Sequence, residues 1–265
     1  MFHGDYNFFD YKYNIIGYSG QDYGGFPQYL YSIISVFLLI ILLILLRNSS
    51  KEKVRKIIQI IGVFLTIFYL TKTTWESIYD IKLMGSFNIG LLPLDTCSII
   101  MIAALLAGFT KGKLANWSSC WLATGGIVGG VGTMFFLTAF KYYPFLSFGA
   151  FYSMIWHFLM VFLGLLLIVT NYVDMKYSTV VKGYLFHLII SIFVILFDYL
   201  YDYDFMFYKE LSSIPFFDDI ASNLNANGLF ILNPIIMLIL YFLSFNLVFL
   251  IAMFIKKIIW KRSSR

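Results

Sequence analysis

Of the two cysteines and three histidines in this 265-residue chain, Cys97 and His157 are the two whose types and depths could form a nucleophile–base pair. Cys97 stands in LLPLDTCS, Leu91 to Ser98, and His157 follows sixty residues later in Trp156-His157-Phe158. A thiol attacks well only as thiolate, and apolar surroundings keep it protonated. An imidazole within reach removes that proton during attack. The structural alternative is plain for each. A lone cysteine in an apolar helix is usually a small filler, whereas a histidine at membrane depth needs a partner wherever it sits.

Those two residues matter only if they lie in membrane helices, and the composition says that they do. Sixty per cent of the residues are apolar or aromatic, 12% are charged and mean hydropathy is +0.82. A soluble chain carries about a quarter charged residues, so this is an integral membrane protein. The many Phe, Tyr, Ile, Lys and Asn residues suit an AT-rich genome. Seven stretches are long enough to span about 30 Å of hydrocarbon. They are Gln28–Leu46, Ile57–Ile78, Leu91–Thr110, Trp117–Phe140, Phe148–Thr170, Val181–Tyr201 and Leu229–Ile255.

The charges orient them. Arg47, Lys51, Lys53, Arg55 and Lys56 follow the first span, Lys111 and Lys113 the third, and Lys176 and Lys182 the fifth. Lys256, Lys257, Lys261, Arg262 and Arg265 close the chain, so 14 of the 19 Lys and Arg residues fall on one side. The positive-inside rule then puts the N-terminus outside and the C-terminus in the cytoplasm, which requires an odd number of spans. The expected architecture is all-α, a polytopic seven-transmembrane-helix bundle in the cell membrane. Residues 1–27 form an extracytoplasmic tail, 28–255 the helical domain with an outer loop at 202–228, and 256–265 a basic cytoplasmic tail. No cleavable signal is evident, and the aromatic outer loop is expected to lie along the membrane interface.

Charged or polar groups inside spans are functional or paired. Lys72, Glu76, Asp95, Cys97, His157, Asp198 and Asn233 fall in the outer half; Cys120, His187 and Asn246 fall in the inner half. Helical geometry aims Cys97 along a small-residue face with Ser98, Met101, Ala104 and Gly108, and turns Asp95 about 200° away. Lys72 and Glu76, at i and i+4, read as a local ion pair. His187, Ser191 and Asp198 line one stripe, either a second functional feature or a buried polar seam. Cys97 and Cys120 lie near opposite span ends and cannot form a disulfide. Thr124–Thr133 (TGGIVGGVGT) lacks the Lys-Ser/Thr ending of a phosphate loop and reads as small-xxx-small packing. Three histidines at 3, 157 and 187 do not converge as a zinc site does, so no metal and no cofactor is assigned.

Leu92-Pro93-Leu94-x-x-Cys97-Ser98 opening a span, with His157 sixty residues on, resembles the YwaF-like family of bacterial integral membrane proteins. That family is related to transmembrane protein 164, an acyltransferase of phospholipids. A more distant likeness is to androgen-induced membrane hydrolases of fatty-acid esters. The resemblance implies that Cys97 is the nucleophile and His157 its base. Two positions depart from the family pattern: Phe158 follows the histidine where a small residue is common, and Asp95 stands where Gln or His is expected. In the implied reaction Asp198 or Glu76 would orient His157, while Asn233, Ser98 or Thr96 would steady the oxyanion. The expected partners are membrane phospholipids or lysophospholipids, with no nucleic acid. Two alternatives stay open: a non-catalytic transporter or solute- or lipid-binding protein with an outward polar cavity, and a membrane ester hydrolase.

Overall fold

The computed structural model describes residues 5–211 and 218–263, with only the backbone for 218, 221, 225 and 256–263. His3, residues 212–217 of the expected outer loop and the last two residues of the basic tail lie outside the described residues. Among the described residues every long element is helical, and an antiparallel bridge between Asp5 and Ile16 stands in place of any strand.

The described residues form nine α-helices in order: α1 (Phe26–Leu46), α2 (Lys51–Met84), α3 (Ile99–Phe109), α4 (Gly112–Trp121), α5 (Ile127–Phe135), α6 (Phe148–Val169), α7 (Tyr177–Tyr201), α8 (Asp218–Ala226) and α9 (Leu232–Ser263). Among the described residues six segments are long and apolar enough to cross a membrane: α1, α2, the run Gly112–Lys141, α6, α7 and Leu232–Ile255. The seventh apolar stretch differs from its expectation. Only its second half is helical, and an 11-residue α3 rises about 16 Å, half of a bilayer core. The reason is local: Pro93 lacks an N–H, Leu94 bonds back to Leu92 and Ser98 to Asp95, so residues 92–98 run as successive turns.

The Gly-rich run also departs from a regular helix. A π-turn, Leu122–Gly126, joins α4 to α5, so that the two pack as one bent rod. Glycines allow the close approach. A Cβ on Gly130 would stand 2.6 Å from Val161 Cγ2 and 3.1 Å from the Val161 nitrogen on α6. One on Gly183 of α7 would meet Thr124 Oγ1 at 2.6 Å. α3 is held between α2 and α4, with Gly62 of α2 against the Ala104 backbone.

The bundle has two unlike ends. At the one reached by the N-terminal segment, residues 5–25 dock onto the helices. Phe148 N donates to Phe8 O at 2.7 Å, Trp75 Nε1 to Phe9 O at 3.1 Å, and Phe145 N to Asp22 Oδ2 at 2.8 Å. Tyr11 is buried, stacks on Tyr79 at 5.2 Å and donates its hydroxyl to Asp80 Oδ1 at 2.7 Å. Burial, then the bond to Asp80, pushes the Tyr11 phenol above its ordinary pKa, so it stays a donor. Residues 202–211, expected from their aromatic content to lie along the membrane interface, pack partly against the helices and leave Tyr203 and Phe207 exposed. The segment buries Phe205, Met206, Tyr208 and Leu211, because Tyr208 finds Ser191 Oγ at 2.5 Å and Asp198 accepts Phe205 N. The opposite end gathers the short turns at 47–50, 110–111 and 170–176 and the basic residues beside them.

Candidate functional site

The turn segment 92–98 is where non-helical backbone enters the bundle, and irregular backbone at membrane depth persists only when protein satisfies it. Three helices do so. Tyr69 of α2 donates its hydroxyl to Leu91 O. Thr96 Oγ1 and Tyr241 Oη of α9 share a hydrogen bond of 2.5 Å. The Trp156 indole of α6 donates to the carbonyl of Cys97 at 3.0 Å. Cys97 is thereby fixed on a short strap rather than on a helix face. The helical angle expected between Asp95 and Cys97 therefore does not apply.

His157 is the next residue after that anchoring tryptophan. Its ring is buried on α6, and Nδ1 lies 2.8 Å from Ser153 O and 3.3 Å from Ser153 Oγ. A carbonyl only accepts, so in the neutral ring Nδ1 carries the hydrogen and Nε2 the lone pair. Nε2 makes no hydrogen bond among the described residues. Among the described residues no hydrogen bond joins the Cys97 thiol to the ring either.

His187 shows the opposite state. The Trp121 indole, which can only donate, points at His187 Nδ1 from 3.3 Å. The hydrogen then sits on Nε2, which is buried without a partner, while the ring lies 4.3 Å from that of Tyr241. Ser191 Oγ donates to His187 O, and Asp198 holds Phe205 N at 3.2 Å, so the stripe of His187, Ser191 and Asp198 is a buried polar seam supporting the loop.

The remaining sequence candidates are dispersed. Glu76 forms an ion pair with Lys72 and accepts from Tyr143 Oη at 3.5 Å, and the Lys72 ammonium lies 5.5 Å from the Tyr152 ring. Tyr152 in turn stacks on Trp156 at 5.2 Å. Asn233 donates to Lys209 O at 2.6 Å and so ties the loop to α9. Ser98 is buried beside Cys97, whereas Glu76, Asp198 and Asn233 make their bonds elsewhere than His157. Cys120 is buried and bonds to Asn116 Oδ1 at 3.3 Å, and both cysteines are free. Among the described residues no cluster of His, Cys, Asp or Glu is arranged to hold a metal.

Sequence reasoning missed Trp156, Tyr241 and Tyr69, the three residues that position the strap. Aromatics are so frequent here that none stood out; the signal was adjacency, an indole donor directly beside the candidate base. Set against known proteins, the chain matches the TMEM164 family over residues 23–257. No curated protein and no solved structure matches it.

Proposed function

The chain belongs to the TMEM164 family of membrane proteins, and on that premise we propose that it transfers a fatty acyl group between phospholipids through Cys97 and His157. The observation that carries the reading is the Trp156–Cys97 hydrogen bond. It locks the strap bearing the thiol to the helix turn bearing a histidine with a free basic nitrogen.

Each step balances with these two groups. Cys97 Sγ attacks the ester carbonyl of a phospholipid, and its proton passes to His157 Nε2. The tetrahedral intermediate expels the glycerol oxygen, which takes that proton and leaves as a lysolipid hydroxyl. The acyl chain remains as a thioester on Cys97. A second lysolipid hydroxyl then attacks the thioester and gives its proton to Nε2, and the departing sulfur recovers it. Ser153 holds the ring in the productive tautomer throughout. The Ser98 and Thr96 groups beside Cys97 are the nearest candidates to steady the oxyanion.

A hydrolase would differ only in using water as acceptor. The test is lipid analysis of vesicles containing the purified wild-type chain or its Cys97→Ala form. The proposal expects remodelled phospholipid from the wild type and none from the variant. Free fatty acid in its place would make the protein a hydrolase, and equal remodelling by Cys97→Ala would end the thiol mechanism.

A further inference from the structure

A cavity of about 650 Å³ opens at the basic end of the bundle, between the starts of α2 and α7, the Ala115–Cys120 side of α4 and the turn at 172–174. Lys51, Arg55, Lys176 and Lys182 line it, against two carboxylates, Glu52 and Asp174. Both acids are paired: Glu52 lies 3.1 Å from Lys56 and Asp174 lies 2.8 Å from Lys176. Among the described residues, Lys51 and Lys182 have no ion-pair partner.

Arg55 is pre-positioned. Its Nε donates to Gly108 O at 2.9 Å and its Nη2 to Thr110 O at 2.8 Å, so the C-terminus of α3 holds the guanidinium at the cavity wall. Glu52 in the first turn of α2 is taken up by Lys56, so the unpaired ammonium groups of Lys51 and Lys182 share one cavity with the fixed Arg55 guanidinium. Like charges gathered at one concave wall raise the local affinity for an anion. Ser178 lines the same wall and adds a hydroxyl donor.

We propose that this cavity binds a phosphate-bearing anion, seated between Lys51, Arg55 and Lys182. Two sources share that chemistry: the headgroup of an anionic phospholipid entering from the membrane surface, and a free phosphate. Basic pockets between helices at a membrane surface hold anionic headgroups in this way. The site is separate from Cys97, since α3 puts about 15 Å between Ser98 and Gly108. It therefore stands whether or not the thiol acts.

Calorimetric titration of the full-length protein in neutral micelles tests it, with dihexanoyl phosphatidylglycerol, dihexanoyl phosphatidylcholine and inorganic phosphate as probes. Phosphatidylglycerol is expected to bind at least about tenfold more tightly than phosphatidylcholine, and Lys51→Gln/Lys182→Gln to weaken it by about tenfold or more. Competition by inorganic phosphate would make the phosphate group itself the ligand, and its failure to compete would make the lipid the source; either result bears out the site. Lys111→Gln/Lys113→Gln, at the same end but outside the cavity, is expected to leave binding unchanged. Binding that ignores the Lys51/Lys182 pair, falls equally with the Lys111/Lys113 pair, or is absent for both anions would overturn the proposal.

Discussion

His157 and His187 are the same side chain in opposite hydrogen-bonding states, and the proposed mechanism needs the state that His157 shows. An acceptor carbonyl leaves His157 Nε2 with its lone pair, whereas a donor indole occupies the lone pair of His187 Nδ1. His157→Gln is accordingly expected to lower turnover by about 10²–10⁴-fold while the protein stays folded, as loss of a general base does. Turnover within threefold of wild type would remove His157 from the chemistry. Trp156→Phe removes the donor to Cys97 O together with part of a buried, stacked indole, so it should cost about 2–3 kcal/mol of stability and lower kcat more than it raises KM. An unchanged kcat would show that the strap is placed without it. The thiols should differ as well: a lipid-like electrophile is expected to label Cys97 faster than Cys120, which bonds to Asn116 at the wall of the basic cavity and has no imidazole proposed as its base. Equal labelling of the two, read by peptide mass spectrometry, would contradict an activated Cys97. Cys97 and His157 stand out in the sequence as candidates by residue type, depth and spacing. Their anchors do not, because a tryptophan in an aromatic-rich chain announces no partner until the fold supplies Cys97 O.

At the scale of elements, hydropathy located every long apolar helix but not the two places where helices break. Pro93 was visible in sequence, yet the turns at 92–98 depend on bonds from Tyr69, Tyr241 and Trp156, which arrive from three other helices. The π-turn at Leu122–Gly126 was hidden for another reason: glycines mark close packing and helix irregularity alike. The small-residue reading of that run makes a sharp contrast. Gly130→Ala drives a methyl into Val161 and should destabilise the protein by about 1–3 kcal/mol. Gly132→Ala meets nothing within 4 Å and should be neutral or stabilising by up to about 1 kcal/mol. Thermal unfolding in detergent distinguishes them, and equal melting shifts would refute the packing argument.

Over the whole molecule, charge asymmetry makes a claim about orientation. The sequence assigns 14 of the 19 Lys and Arg residues to the segments expected on one side, and that side is expected to face the cytoplasm. Fusions at the C-terminus check it: green fluorescent protein should fluoresce there and alkaline phosphatase should be inactive, and the reverse pattern would invert the topology. The docked N-terminal segment would then cap the external side. Sequence could not foresee that docking, since Tyr11 meets Asp80 across 69 positions and no local period encodes such a contact. The same holds for residues 202–211, whose aromatics pointed to the interface and whose hydrogen bonds draw part of the segment inward.

The central claim is an acyl group carried on Cys97, and intact-protein mass spectrometry reads it directly. Purified protein incubated with phospholipid and quenched in acid should gain the mass of one acyl chain, mapped to the peptide containing Cys97 and released by hydroxylamine. Cys97→Ala should show no such adduct. Acyl transfer proceeding with no adduct on the wild type, or persisting undiminished in Cys97→Ala, would contradict the account.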